Sequence, residues 1–454
     1  MSANHQFESV TLDDTKTWGK NTQRSLNNFP IGTEKMPKDL IKALLEVKYA
    51  CALSNMTQGI LSQEKGNAIM EAIDTLLDTD FMIHFPLSVW QTGSGTQTNM
   101  NANEVIAHIG GHGLHPNDDV NKGQSSNDVF PTALHIMTLS MIQNTLLPTL
   151  TQCIKTLEEL EVQSHALIKT GRTHLQDATP LSFGQEVSAW VSMLNQNKSQ
   201  IEDSLKYVLD LAIGGTAVGT GLNTYNGFDK DVCDVLNQRL NLNVKPQLNK
   251  FHGLSSKDAL VNTHNAITTC ATNIMKMAND IRWLASGPRT GLGELELPAN
   301  EAGSSIMPGK VNPTQIEALT MVCVQIMGNN QTMTIANSQG NFQLNVYMPL
   351  MGYTLWQSIT LLSDSLDSFT KRCLMGLKPI TSKMAYNLEH TLMSATALNQ
   401  TLGYDQTTKL VNEAHEKGLS IKEVVLGHQL MSEEDFDQNL NVKSMIKPYD
   451  IKGK

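Results

Sequence analysis

The chain has 454 residues, of which 40% are hydrophobic and 17% are charged, and its formal net charge is −10. This is the composition of a folded globular protein with a large core, and the length suggests roughly two to four structural units. The negative charge argues against nucleic acid and anionic membrane as main partners, and the absence of any run of about 18 apolar residues predicts no membrane-spanning helix.

The N-terminal residues and the cysteines indicate a cytoplasmic protein. The opening MSANHQFESVTLDD has neither a basic start followed by an apolar run nor the arginine enrichment of a transit peptide, so we expect no export. The cysteines lie far apart without a CxxC pair, which predicts buried, reduced thiols. They are Cys51, Cys153, Cys233, Cys270, Cys323 and Cys373.

A first long helix is predicted to follow Asn127 and Asp128, which are good capping residues. Pro131 then falls in the first turn, where its missing N–H is harmless. The apolar pattern continues to about Ile168, and Pro148 predicts a kink or break within it.

Further long helices are predicted from apolar residues that recur at steps of three and four. They cover about 183–209, 267–284, 313–336 and 349–373. Helices of this length favour an all-α fold built on an elongated bundle, and apolar residues on more than one helix face predict burial against other subunits. We divide the chain into a loop-and-helix domain (1–125), a central bundle (126–378) and a small C-terminal helical domain (379–454).

Small and polar residues concentrate in segments that precede or separate the long helices. Hydroxyls, amides and helix N-terminal N–H groups gathered in this way could form a receptor for a carboxylate. The alternative is that they are ordinary capping loops, because serine, threonine, asparagine and glycine are common capping residues. The segments are 93–99, 123–128, 171–174 and 303–313.

Other glycine-rich and catalytic motifs are absent. Residues 303–310 resemble a phosphate-binding loop, but the glycine spacing is wrong and Val311 stands where serine or threonine is required. Neither a GxSxG elbow nor an HExxH zinc motif occurs. The cluster at 214–221 misses the dinucleotide-binding spacing and is interpreted as a tight bend. We therefore predict neither a metal nor a cofactor.

The run GSSIMPGKVNP (303–313) resembles the signature loop of the fumarase/aspartase superfamily. Further segments resemble their counterparts in class II fumarases and follow the family order from about residue 5 to residue 440. They are GSGTQTNMNANEV (93–105), HPNDDVNKGQSSNDVFPTA (115–133), GRTHLQDATPLSFGQE (171–186), GGTAVGTGLN (214–223) and GNFQLNVYMP (340–349). His174 and Gly309 match the fumarase branch, because aspartases carry Gln and Ala at these positions.

The resemblance implies three helical domains, with a twenty-helix core in a homotetramer and active sites that each draw on three chains. It implies a hydro-lyase that reversibly converts fumarate to (S)-malate in the tricarboxylic acid cycle, without cofactor or metal. The expected partners are the dicarboxylate substrate and the chain itself. An aspartate ammonia-lyase and a non-catalytic structural relative remain as alternatives.

The same resemblance implies the catalytic roles. Ser304 is expected to remove the carbon-bound proton, and His174 to act on the oxygen side through water, oriented by Glu301. Lys310 and Asn312 are expected to stabilise the aci-carboxylate in which two negative charges gather. The substrate-binding residues would be Ser94, Thr96, Ser125, Ser126, Asn127, Thr173, Ser305, Lys310 and Asn312.

A second anion site outside the active site is also implied, at His115, Asn117 and Asp118. The chain departs from the family pattern here. Relatives place an arginine three residues before the histidine, within a longer loop, whereas this chain has His112. The departure leaves the second site an open question.

Overall fold

The structure is a computed structural model that describes residues 10–13, 15–303 and 305–448. The described chain divides into two compact units. The first unit comprises Met1–Pro148, Asn197–Ala271 and Val322–Asp364, and the second comprises Thr149–Gln196, Thr272–Met321 and Ser365–Lys454.

The described residues are mainly helical, which confirms the all-α prediction. The helices are α1 (Lys20–Asn28), α2 (Lys38–Thr57), α3 (Gln63–Leu77), α4 (Thr96–Gly110), α5 (Ser126–Met141), α6 (Leu147–Gln163), α7 (Phe183–Val208), α8 (Phe228–Leu240), α9 (Lys250–Ser255), α10 (Asp258–Leu284), α11 (Thr314–Asn337), α12 (Met348–Arg372), α13 (Thr381–His390), α14 (Asn399–Leu402), α15 (Tyr404–Lys417), α16 (Ile421–Gly427), α17 (Glu433–Asn439) and α18 (Val442–Met445). The predicted helices at 183–209, 313–336 and 349–373 correspond to α7, α11 and α12, and the one at 267–284 forms the C-terminal part of α10.

The strands pair in short two-stranded sheets. They are β1 (Ile168–Thr173) with β2 (Gln176–Ser182), β3 (Asp210–Leu211) with β4 (Lys245–Pro246), and β5 (Leu295–Glu296) with β6 (Lys378–Pro379). The β3–β4 pair is parallel and the other two are antiparallel. The β1–β2 hairpin differs from the prediction, which continued the helical pattern to Ile168.

The start of α5 lies slightly earlier than predicted. Ser125 is the N-cap, and its side chain forms a reciprocal capping box with Asp128. Pro131 therefore lies inside the helix, where it has no N–H to donate to the carbonyl of Asn127.

The predicted break near Pro148 is confirmed. A π-helical turn at Ile142–Leu146 separates α5 from α6. Pro148 cannot donate to the carbonyl one turn earlier, so the helix widens just before it.

The first unit is built on closely packed helices. A side chain at Gly352 of α12 would meet Leu134 of α5 and Leu40 of α2, so glycine allows these helices to approach. Elsewhere in the unit, buried His264 of α10 hydrogen bonds to Asn330 of α11 and to Ser358 of α12, each at 2.9 Å. Burial lowers the pKa of His264, so a neutral imidazole joins the three helices.

The second unit contains its own helix contacts and a small apolar core. The Trp190 indole of α7 donates to Asp280 of α10 at 3.0 Å, and Ser368 of α12 donates to Gln315 of α11 at 2.8 Å. The C-terminal helices enclose a separate cluster of buried residues. It comprises Ala395, Leu398, Leu410, Ala414, Ile421, Val424, Val425 and Phe436.

The division into domains at 125 and 378 remains a prediction.

All the cysteine side chains are buried, and within the described residues no disulfide joins them. None of the helices in the described part of the chain combines the length and apolar character needed to cross a membrane.

Candidate active site

The receptor residues predicted in the first unit come together where α4 and α5 begin. The Ser94 hydroxyl lies 2.7 Å from the Thr96 hydroxyl, which lies 2.7 Å from that of Ser126. Thr96 is exposed, whereas Ser94 is buried. The hydroxyl groups thus line up beside the N-termini of two helices, where the helix dipoles and free N–H groups favour an anion.

Glycines allow the loop before α4 to take this path. Gly95 has a φ of 72°, in the left-handed region, and a side chain there would come within 2.4 Å of the Phe130 ring. A side chain at Gly93 would overlap the carbonyl oxygen of Val346. The glycines in GSGT therefore serve close packing, which leaves Ser94 and Thr96 as the residues that can bind.

A buried carboxylate ties α5 to the glycine-rich bend at 214–221. Asp128 accepts hydrogen bonds from the backbone N–H groups of Ser125 (2.9 Å), Gly214 (3.0 Å) and Thr216 (2.9 Å). Burial raises the pKa of Asp128 to about 6, although these hydrogen bonds oppose the rise. The Asn127 side chain donates to the carbonyl of Ala217 at 2.8 Å. The bend thus supports the start of α5, in keeping with its interpretation as a tight bend.

A buried lysine lies beneath the loop that precedes α5, and it was not predicted. Lys48 of α2 is fully buried, and its ammonium group donates to the Gln124 side chain at 3.1 Å and approaches that of Asn121 at 3.5 Å. Asn121 also accepts a hydrogen bond from Asn99 of α4 at 3.1 Å. Burial lowers the pKa of Lys48 to about 7, although the nearby Cys51 and Asp128 oppose this change.

Replacing this lysine should change how stability depends on pH. An unfolded lysine is protonated below about pH 10.4, so between about pH 10 and pH 7 only the unfolded chain binds this proton and folding becomes less favourable as pH falls. We expect Lys48→Met to abolish this slope. It should raise the unfolding free energy at pH 7 by up to about 4 kcal/mol, less about 1 kcal/mol for the lost hydrogen bond.

Urea unfolding midpoints between about pH 6 and 10 would test this expectation. Lys42→Met is the matched control, because Lys42 is an exposed lysine of the same helix. If Lys48→Met and Lys42→Met show the same pH dependence as the parent chain, Lys48 does not titrate as its burial requires.

His174, in the second unit, lies at the tip of the β1–β2 hairpin. Thr173 pairs with Gln176, which leaves His174 and Leu175 as a two-residue turn. Their φ angles are 57° and 59°, the positive values that a type I′ turn requires. Without glycine, each such residue costs roughly 1–2 kcal/mol. Such strain persists only where the surrounding structure enforces it, and it is concentrated at functional positions.

The base of this hairpin is held by buried charges. Glu294 is fully buried, and Arg172 donates to both of its carboxylate oxygens, at 3.1 and 2.7 Å. The Lys169 ammonium lies 3.1 Å from Glu294 and 2.8 Å from Glu186 of α7. Asn387 of α13 donates to Glu294 at 2.8 Å.

The predicted signature loop is exposed at 303 and 305–312, and Pro313 is half-buried. Gly303 packs against the carbonyl of Lys310, whose N–H donates to Met307 at 3.2 Å. Gly309 has a φ of 80°, which favours glycine over the alanine of aspartases. The predicted base, Ser304, lies outside the described residues.

Several other predicted groups point into solvent. Thr173, His174, Glu301, Ser305, Lys310 and Asn312 are all exposed. No hydrogen bond or ion pair within the described residues joins His174 to Glu301, so their predicted pairing remains a prediction. The structure brings Ser94, Thr96, Ser126 and Asn127 together at the starts of α4 and α5. In the second unit, the β1–β2 hairpin carries His174 and the loop at 303–313 carries Lys310.

The residues of the predicted second anion site form one exposed turn. The His115 side chain accepts a hydrogen bond from the Asp118 N–H, and its ring lies 3.1 Å from the Asp118 carboxylate. His112, which replaces the family arginine, lies 3.4 Å from Glu64. Asn117 is exposed in the same turn. Carboxylates thus adjoin both histidines, and the second site remains a prediction.

The sequence contained a signal for the supporting charges that were missed. Lys48 interrupts an apolar stretch of α2, and Lys169 follows the apolar residues 166–168 just before the polar motif. A lone charge in an apolar pattern indicates a buried group with a dedicated partner. Among the described residues, no group of three or more His, Cys, Asp or Glu side chains is placed to hold a metal ion.

Comparison with known proteins shows the family. A family model described as Lyase matches residues 8–328, and another described as Fumarase C C-terminus matches residues 395–447. The chain is 52% identical over 449 residues to a Fumarate hydratase class II of Helicobacter pylori, covering 97% of each chain. It is 50% identical over 458 residues to one of Bacillus cereus, covering 98% of this chain and 99% of the relative. The chain belongs to the class II fumarate hydratase family.

The fold of this family member agrees with a solved structure. The crystal structure of class II fumarase from Schistosoma mansoni matches with a TM-score of 0.94 and 39% identity, over 97% of this chain and 98% of that one. The chain is thus a lyase with the fumarase helical-bundle fold. The resemblance based on residues 303–313 is confirmed over nearly the full length.

Proposed function

We propose that this chain is a fumarate hydratase, which adds water to fumarate to give (S)-malate and catalyses the reverse reaction in the tricarboxylic acid cycle. The observation that carries this proposal is the similarity, over nearly the whole chain, to proteins named Fumarate hydratase class II. The aspartate ammonia-lyase alternative is disfavoured by His174 and Gly309, where the aspartase branch carries Gln and Ala.

The first unit supplies groups suited to a dicarboxylate. The hydroxyl groups of Ser94, Thr96 and Ser126 form a chain at two helix N-termini and offer donors to a carboxylate. The polar segments at 93–99 and 123–128 contain no basic residue, so the donors there are hydroxyl, amide and N–H groups. We assign substrate binding to these residues together with Ser125 and Asn127. Helix N-termini allow a protein with a net charge of −10 to bind a dianion locally.

The second unit supplies the groups for proton transfer. In dehydration, a base removes a proton from the carbon beside a carboxylate, the electron pair forms the double bond, and hydroxide leaves as water after protonation. We assign the base to Ser304 and the oxygen side to His174, which acts through water and is oriented by Glu301. The carbanion is tolerable as an aci-carboxylate, which Lys310 and Asn312 stabilise, and Thr173 and Ser305 bind the substrate.

The exposure of the proposed catalytic side chains supports a homotetramer in which active sites are shared between subunits. His174, Glu301 and Lys310 are exposed, and the side chain of none of them has a hydrogen bond or ion pair within the described residues. Apolar side chains of α11 are exposed too: Met321 by 68%, Val324 by 60% and Ile335 by 60%. We infer that other copies of the chain cover α11 in a twenty-helix core and complete each site.

We also infer that the enzyme acts in the cytoplasm and needs neither metal nor cofactor. Six buried cysteine side chains support a reducing compartment. The proposed chemistry uses a base, an acid and a cation, all of which the chain provides.

A direct assay tests the proposed function. Purified protein should consume fumarate, followed by loss of its ultraviolet absorbance, and should form it from (S)-malate. Activity should remain after exhaustive chelation, because no step of the proposed mechanism passes through a metal ion.

The outcomes separate the alternatives. Release of ammonia from aspartate without turnover of malate would identify an ammonia-lyase. No turnover of either compound by the folded protein would favour a non-catalytic relative. Loss of activity on chelation that a divalent ion restores would overturn the metal-free mechanism.

A further inference from the structure

We propose that Glu294 is a positioning residue for the His174 hairpin. This proposal rests on the proposed function, because it concerns how His174 is held for proton transfer. Glu294 does not lie at the hairpin tip. It immediately precedes β5 and contacts the strand that leads to His174.

Glu294 joins several elements of the second unit through one carboxylate. Arg172 of β1 binds both oxygens, and Asn387 of α13 donates to one of them. Lys169, on the same strand as Arg172, lies 3.1 Å from the other oxygen. The backbone carbonyl of Glu294 also accepts from the N–H of Ile380 at 2.9 Å. Both charged contacts on β1 therefore converge on one residue.

These contacts lie at the place where the hairpin needs support. His174 and Leu175 have positive φ angles, a conformation that L residues with side chains seldom adopt unaided. Arg172 is two residues before His174, and the bidentate contact fixes its direction as well as its position. The strand register also shifts between Thr170 and Arg172, so the end of the hairpin is not held by a regular ladder alone.

The charge state of the cluster fits this role. Burial alone would raise the pKa of Glu294, but the Arg172 hydrogen bonds, the Lys169 charge and the Asn387 hydrogen bond hold it below its usual value. The groups facing Glu294 are thus two cations and one amide, and Glu186 is the second carboxylate, bonded to Lys169. An ionised Glu294 balances cations that would otherwise be buried without a partner.

The cluster also lies on the segment that leads to the signature loop. Glu294 lies immediately before β5, and the chain continues from β5 to Glu301 and the loop at 303–313. One residue thus contacts the strand that leads to His174 and lies in the segment that leads to Lys310.

The test is a double-mutant cycle on fumarate hydration by the full-length enzyme. Glu294→Gln keeps the shape of the side chain and removes its charge. We expect kcat to fall by about 10²-fold with little change in KM, because a small displacement of a catalytic group has an effect of this size. In the His174→Asn background the same change should have almost no further effect, because Glu294 acts through His174.

A control and a milder variant complete the design. Glu46→Gln removes another buried carboxylate bonded to an arginine, Arg239, outside the second unit, and should leave kcat unchanged even if Tm falls. Arg172→Lys keeps the charge but removes the bidentate contact. It should show the same dependence on His174 if Glu294→Gln does not fold.

The possible results are distinct. An inactive parent enzyme would contradict the proposed function, whatever Glu294 does. An active parent with kcat losses that multiply in the two backgrounds would overturn the positioning role and leave a purely structural one. Unchanged kcat in both Glu294→Gln and Arg172→Lys would overturn it as well.

Discussion

Ser304→Ala should lower kcat by at least about 10³-fold and leave KM for malate nearly unchanged. A base that removes a carbon-bound proton contributes mainly in the transition state, so its loss appears in kcat. Serine is a weak base at its ordinary pKa, and its alkoxide would require the Lys310 cation and backbone N–H groups for stabilisation. Steady-state kinetics in both directions measures the effect.

The adjacent serine provides the matched control. Ser305 is assigned to carboxylate binding, so Ser305→Ala should raise KM more than it lowers kcat. If Ser304→Ala keeps near-normal turnover, then Ser304 is only a binding hydroxyl. The carbon base would then have to be another group, with His174 the first candidate.

His174→Asn should also lower kcat, but by a different route. Removal of the group that transfers the oxygen-side proton should abolish one limb of the pH profile of kcat. Exchange of the substrate carbon proton with deuterium from solvent separates the two roles. Exchange should survive His174→Asn better than Ser304→Ala, provided that product release does not mask it.

The long helices were predictable because each buries a stripe of apolar residues at helical spacing. That period identified α7, α11 and α12 to within one residue at the N-terminus and one at the C-terminus. The cap of α5 was placed too late because Asn127 and Asp128 are also good capping residues. In the structure Ser125 is the N-cap, and its N–H donates a hydrogen bond to the Asp128 carboxylate.

The hairpin was missed because its stability does not come from local sequence. Residues 168–182 contain Gly171 and Pro180 and little alternation of apolar and polar residues. A side chain at Gly171 would come within 2.5 Å of the Thr179 carbonyl, so this glycine serves the irregular strand pairing. The charges that hold β1 come from Glu294, over a hundred residues later in the chain.

The candidate site was predictable to a different degree in each part. The cluster of residues at 94–96 and 125–127 was predictable because hydroxyls and amides at helix starts are visible as motifs. Lys48 and Glu294 were missed because burial of a single charge depends on distant partners, Gln124 and Arg172. For Lys48, a charge within an apolar stretch was the available signal.

Mixing two inactive variants should restore activity if active sites form between chains. His174 and Lys310 are both exposed, and neither side chain has a hydrogen bond or ion pair within the described residues of its own chain. We expect His174→Asn and Lys310→Ala each to be nearly inactive alone. If another subunit supplies Lys310 to the site that uses His174, random assembly of equal amounts gives about a quarter of the sites both native residues.

The measurement is fumarate turnover after co-refolding at several mixing ratios, with each variant refolded alone as the baseline. Activity should peak near equal amounts, because an intact site needs His174 from one variant and Lys310 from the other. The double variant His174→Asn/Lys310→Ala, mixed with the parent, is the control. The activity of this control mixture should be proportional to the fraction of intact sites and should never exceed that of the parent alone. If no ratio of the two single variants regains activity although mixed tetramers form, both residues act within one chain, and the inference of sites shared between subunits through these two residues is wrong.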